Sequence, residues 1–332
     1  MKIFLILNLL FSISCTYKAT KVTVVGAGNV GASAANILAI NEVASEVVLI
    51  DIKEGLAEGK AMDIMQSSQL ISFDTVVTGV TNDYEKTKNS DVVVITSGIP
   101  RKPGMSREEL LDVNAKIIKN VVENLIKYSP DAIFVVVANP MDSMAYLTLK
   151  LTGLPRNRVI GMGGILDSSR FKYFLSQELG CNHNDVQGIV IGGHGDTTMI
   201  PLPRFSTYKG IPINSLLPKE KIDEIIHSTM VGGATLTKLL GTSAWSASGA
   251  SISYLVECIL KDQKKLIPCS VYLQGEYNLE DITIGVPVII GRNGVEKIIT
   301  LELNEEELDL FYKSANSVRK NEEALKKLGF FN

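Results

Sequence analysis

Four apolar, β-branched runs constrain this chain more than any other feature: KVTVV (21–25), EVVLI (46–50), DVVVITS (91–97) and AIFVVVANP (132–140). They are nearly continuous in apolar character, where a strand with one wet face would alternate. Continuous runs fit strands covered on both faces, which is the condition of a parallel sheet packed between helices. The intervening text supports this, since EELLDVNAKIIKNVVENLIKY (108–128) has helical periodicity and separates the last two runs. DTVVTGV (74–80) supplies a weaker run between the second and third. The expected fold is α/β, a doubly wound parallel sheet of the Rossmann type over residues 21–162.

Beyond about residue 162 the pattern changes. A helical segment, LDSSRFKYFLSQELG (166–180), precedes the strand-like VQGIVIGG (186–193), a long mixed helical region, and the β-rich pieces CSVYLQGEYN (269–278) and TIGVPVIIG (283–291). The terminal NEEELDLFYKSANSVRKNEEALKKLG (304–329) is a charged amphipathic helix, read as a solvated outer layer. Residues 163–332 are therefore expected to form an α+β catalytic domain. No repeat, low-complexity tract or flexible linker separates the halves, so they should pack closely.

With 332 residues the chain has room for two such units. A formal charge of -3, with both signs mixed along the sequence, gives no basic footprint for nucleic acid and no polybasic membrane patch. Small-molecule partners are the expectation. Cys15, Cys181, Cys258 and Cys269 have neither disulfide-framework nor zinc spacing, and three histidines are few for a metal site, so no metal is expected. MKIFLILNLLFSISC (1–15) resembles a secretory or lipoprotein signal and is too short to span a membrane as a helix. We read residues 1–20 as an extension or early start site on a cytoplasmic protein; export is the alternative.

The stretch VVGAGNVG points to a bound dinucleotide, which an intracellular protein would have at hand. Gly26, Gly28 and Gly31 stand in G-x-G-x-x-G spacing after the first strand, with Ala27, Asn29 and Val30 between them. The first glycine permits a tight turn, the second lets backbone approach a pyrophosphate, and the third lets helix pack on strand. Asp51 closes the next strand 20 residues after Gly31, where a carboxylate accepts from both ribose hydroxyls and repels a 2'-phosphate. NAD is thus favoured over NADP, although nearby Lys53 keeps the preference from being absolute.

Three further pieces carry chemistry. GGHGDTT places His194 after an apolar run between glycines; GGILDSSR sets Asp167 and Arg170 at i and i+3 on one helical face; VVVANP puts Asn139 at a strand's carboxyl end, where open α/β sheets bind ligands. Taken singly, each also has a plain structural reading, and Arg101, Lys102 and Arg107 in SGIPRKPGMSR could belong to an ordinary solvated loop.

Together, in the order GAGNVG, Asp51, RKPGMSR, ANP, LDSSR, GGHGD, they resemble the lactate/malate dehydrogenase family over residues 21 to about 329. The resemblance implies that His194 is the general acid/base, oriented by Asp167, and that Arg170 holds the substrate C1 carboxylate. It implies that Arg107 rides on a mobile loop and polarises the reacting oxygen. Asn139 would bond that oxygen or the cofactor ribose, with Asn114 and the backbone near Val137 completing the NAD site. Arg101 in place of Gln resembles the bacterial branch acting on malate and oxaloacetate, with Lys102 turned to solvent. The family also implies a homodimer or homotetramer. His183, His227, Cys181, Cys258 and Cys269 are read as structural.

Two departures qualify the match. HGDTTMIPLP has one more residue between His194 and the first Pro than the common family string, which leaves the backbone path after His194 open. TSAWSASGAS has Ser246 and Ser248 where an aromatic residue and Pro are frequent, with Ser243 expected at the substrate. A lactate or other 2-hydroxy-acid dehydrogenase, and a catalytically silent NAD-binding protein, are the competing readings.

Overall fold

The computed structural model describes residues 19–100 and 105–331. The leader, Arg101 and Lys102, and the side chain of Arg107 lie outside the described residues. Six strands, β1 (Lys21–Val25), β2 (Glu46–Asp51), β3 (Val76–Thr81), β4 (Val92–Ile95), β5 (Ile133–Val136) and β6 (Val159–Gly161), form a parallel sheet in the order 3-2-1-4-5-6. Helices α1 (Asn29–Ile40), α2 (Leu56–Gln66), α3 (Arg107–Tyr128) and α4 (Met141–Thr152) connect and cover it. The strand composition follows from this layering. Val92, Val94 and Val135 enter the core on one face, while Val93, Ile95, Phe134 and Val136 enter a separate core on the other. Both parities are buried, so the strands are almost wholly apolar; the buried Thr23 hydroxyl in β1 is satisfied by Ser90 Oγ at 2.8 Å.

The run that looked weak, DTVVTGV, is a full edge strand paired with β2 from Glu46↔Val76 to Asp51↔Thr81. Its Gly79 lowers the apolar signal for a packing reason: a Cβ there would fall 2.1 Å from the carbonyl oxygen of Ala57 in α2.

The second half contains α5 (Gly164–Leu179), β7 (Val186–Gln187), β8 (Val190–Gly192), β9 (Met199–Pro201), β10 (Thr207–Tyr208) and β11 (Ile211–Pro212). It continues with α6 (Lys219–Leu240), α7 (Ser246–Leu260), β12 (Lys265–Gln274), β13 (Glu280–Gly291), β14 (Gly294–Ile298) and α8 (Glu305–Lys327). VQGIVIGG is not one strand as its pattern suggests. β7 joins a small sheet with β10 and β11, whereas β8 joins the large one. Gly188 marks the break, packed where a Cβ would lie 3.1 Å from Lys172 Cγ.

The large sheet does not stop at β6. It crosses into the second half by a pairing of Gly161 with Ser270 in β12, continues through the long antiparallel β12–β13 ladder, and reaches β8 through Gly285↔Gly192. At that seam a Cβ on Gly161 would lie 2.2 Å from Met141 Sδ and 2.8 Å from Ser270 Cβ. The terminal helix α8 is more than an outer layer, since Phe311, Ala315, Val318, Glu322 and Leu325 are buried along it.

Candidate active site

A cleft of about 880 Å³ opens at the carboxyl ends of the parallel strands, between the glycine loop on one side and α5, α6 and the His194 loop on the other. The three glycines do different steric work. Gly26 has a positive φ of 101°, and a Cβ there would meet Thr96 Oγ1 at 2.8 Å; a Cβ on Gly31 would fall 1.8 Å from the Gly26 carbonyl oxygen. Gly28 faces open space, so the approach to the start of α1 is unobstructed. That helix has no side-chain cap and no acidic residue in its first turn, which leaves its amino end available to an anion.

Asp51 lines the cleft, and its two carboxylate oxygens are anchored separately: Oδ2 accepts from the Ala27 amide at 2.6 Å and Oδ1 from the Lys53 amide at 2.9 Å. Each oxygen retains acceptor capacity for a ligand hydroxyl. Asn139 and Val137 also line the cleft. Asn114 and Ala27 are buried and are not among the residues lining the cleft. Asn114 Oδ1 accepts from the Ile99 amide at 2.8 Å, and Nδ2 donates to the Ile99 and Asn139 carbonyls at 3.1 and 2.7 Å. It ties together two loops that do line the cleft and has no donor left over.

At the other wall, α5 presents Asp167 and Arg170. Asp167 is buried, and its oxygens are divided between two partners: Oδ2 lies 2.7 Å from His194 Nδ1, and Oδ1 accepts from Arg170 Nη1 at 3.1 Å. With Nδ1 committed, Nε2 is the ring nitrogen left for a ligand. Burial disfavours the imidazolium, but Asp167 and then Asp142 outweigh it, so the pKa of His194 is held above the ordinary histidine value. Arg170 Nε is buried without a partner. Two adjacent glycines in α6 lie beside this side chain, and a Cβ at either would only reach ordinary contact with it, 3.5 Å from Nη1 at Gly233 and 3.4 Å from Cδ at Gly232.

The wall beyond His194 is a tight turn, closed by Gly195 N to Gly193 O at 3.0 Å and Thr198 N to Gly195 O at 2.9 Å. Ser243 and Ser248 line the cleft, whereas Ser246 does not. His183 is elsewhere, with Nδ1 2.5 Å from Ser176 Oγ and its ring stacked on Tyr173. Burial pushes the Cys258 thiol up to about 11 and Cys269 further, which keeps both protonated. Among the described residues no group of three or more His, Cys, Asp or Glu could hold a metal ion.

The family model for the lactate/malate dehydrogenase NAD binding domain matches residues 20–161, and that for the lactate/malate dehydrogenase α/β C-terminal domain matches residues 165–328. The chain belongs to the lactate/malate dehydrogenase family. Similar members include malate dehydrogenases of Parabacteroides distasonis, 69% identical, and Bacteroides thetaiotaomicron, 67% identical, each over 93% of this chain and 99% of the relative. Among solved structures, malate dehydrogenase from Salinibacter ruber is 46% identical with a TM-score of 0.89, covering 93% of this chain and 98% of that one. The lactate dehydrogenase from Cryptosporidium parvum, solved with lactic acid and NAD, is 40% identical with a TM-score of 0.89 over 93% and 98%.

As a member of this family the protein is an NAD-dependent oxidoreductase, and its glycine loop and Asp51 fit NAD on steric and polar grounds. The family-level reading from sequence passed over Asp142. This buried carboxylate at the start of α4 accepts from the His194 amide at 2.7 Å and from Ser270 Oγ at 2.6 Å, joining α4, the His194 loop and β12. Burial drives its pKa up, opposed by those two donors and by His194. The glycine geometry also carries an expected contrast. Gly31→Ala should destabilise the fold by about 3 kcal/mol or more, because the clash is with backbone. Gly28→Ala should cost stability no more than about 1 kcal/mol yet weaken NADH binding roughly tenfold. Thermal unfolding and NADH fluorescence titration of both variants measure the contrast.

Proposed function

We propose that the protein interconverts (S)-malate and oxaloacetate with NAD as the hydride carrier. The observation that carries this reading is the His194–Asp167–Arg170 constellation facing the glycine loop across one cleft. The identity to relatives named malate dehydrogenase supports the choice of substrate. The glycine loop and Asp51 would hold NAD, which would supply the acceptor for the hydride from C2 of malate. His194 Nε2 takes the C2 hydroxyl proton as it leaves, and Asp167 stabilises the imidazolium that results. Arg170 holds the C1 carboxylate through a charge-assisted pair, the role for which its uncommitted donors fit. Arg107 polarises the reacting oxygen and Arg101 meets the distal carboxylate. Asn139, at the cleft wall, bonds the reacting oxygen or the ribose. In the reverse direction the same groups return the proton.

A homodimer or homotetramer is part of this reading, as the resemblance to the family implies. Among the described residues no helix is long and apolar enough to cross a membrane. The proposed location is cytoplasmic, and the proposed domains span 21–162 and 163–332. Steady-state NADH oxidation with oxaloacetate and pyruvate run in parallel tests the reading; a higher kcat/KM for oxaloacetate is the expected result, and a preference for pyruvate overturns it.

A further inference from the structure

The turn that carries His194 is braced from outside. Gly193 N donates to Ser314 Oγ at 2.9 Å, and that hydroxyl donates to the Thr198 carbonyl at 2.7 Å. One buried side chain of α8 therefore closes the His194 turn across its two ends, from more than 100 residues away in sequence. Ser314 shares a helical face with Val318 and Glu322, at successive steps of four residues. A Cβ on Gly193 would lie 2.8 Å from Val318 Cγ2, and Glu322 accepts from the Thr283 amide in β13 at 2.9 Å. The same face thus seats the turn and the strand whose Gly285 pairs with Gly192. His194 N and Gly193 N, consecutive amides, are held by Asp142 and Ser314 from different elements. The imidazole position consequently depends on hydrogen bonds to its own backbone as well as on Asp167.

We propose that Ser314 is a positioning residue for His194, acting through the Gly193 amide and the Thr198 carbonyl. The proposal rests on the reading of His194 as acid/base. Alanine at this position leaves the amide and carbonyl without their partner and lets the turn relax, which displaces Nε2 from the substrate hydroxyl. Proton transfer is sensitive to such displacement, with about 10²-fold lost per Å in general. NADH binding, determined at the opposite wall, does not depend on it.

The full-length protein carries the test. Ser314→Ala is expected to lower kcat for oxaloacetate by about 10-fold or more while the NADH dissociation constant stays within twofold. Leu325→Ala, which loosens α8 in a different core, is expected to lower the melting temperature without a comparable loss of kcat. In a His194→Asn background Ser314→Ala should have no further effect on turnover, since the group it positions is gone. Unchanged kcat in Ser314→Ala, or an equal loss in Leu325→Ala, overturns the proposal. If His194→Asn itself retains turnover, the acid/base reading fails instead, and the two failures are distinguished. Should Ser314→Ala not fold, Ser314→Cys, similar in size with weaker hydrogen bonds, is held to the same criteria.

Discussion

Replacing His194 with Asn is expected to lower kcat by about 10² to 10⁴ while NADH binding stays close to wild type, the loss associated with a positioned acid/base group. Asn retains size and a polar edge but cannot carry the proton. Wild-type turnover in this variant would remove His194 from the mechanism. The same residue determines the pH behaviour of the wild-type protein. Its pKa is raised above the ordinary value because Asp167 and Asp142 outweigh burial, so the imidazolium persists to higher pH. Oxaloacetate reduction draws its proton from that imidazolium and should be lost as pH rises through the raised pKa. Malate oxidation needs the neutral ring and should be lost as pH falls through it. Opposite limbs in the two directions, both abolished in His194→Asn, are the expected signature.

Arg101→Gln is expected to reduce kcat/KM for oxaloacetate by roughly 10² or more, the scale of losing a charge-assisted pair in a closed site. Oxaloacetate and malate carry one carboxylate more than pyruvate and lactate, and a cation facing that carboxylate matches one substrate pair only. Burying the mismatched charge costs several kcal/mol in general, so the variant should also raise the pyruvate-to-oxaloacetate ratio. Parallel kinetics on both keto acids read this out. If Arg101→Gln keeps the wild-type preference while Lys102→Gln loses it, the adjacent lysine is the cation that reads the substrate.

What could be read before folding follows from how local each constraint is. The β1, β2, β4 and β5 runs are legible because burial on both faces makes nearly every interior position apolar. The glycine loop is legible because two of its three glycines sit where a Cβ would strike backbone. The pairing of His194 with Asp167, across 27 residues, was reached only through resemblance, since neither residue alone differs from a structural one. Asp142 and Ser314 escaped notice for a related reason. One sits in the first turn of an otherwise apolar helix and the other in a charged amphipathic one, and each gains its role from a backbone amide delivered by a distant loop. The Asn114 bonds to the Ile99 and Asn139 backbones are likewise not legible in sequence, because their partners lie on two separate loops. VQGIVIGG reads as one strand because apolarity does not record a change of sheet at Gly188.

The pairing of Gly161 with Ser270 makes the two halves poor candidates for free exchange between relatives. A recombinant crossing over after residue 161 takes Met141 and Gly161 from one parent and Ser270 from the other. Met141 and Ser270 leave no room for a Cβ at Gly161, and Ser270 also holds the Asp142 carboxylate that fixes the His194 amide. Two parents that each fold well can therefore yield an offspring whose cleft walls are out of register, and crossover tolerance in this protein should track the match at that small contact more closely than the overall identity of the parents.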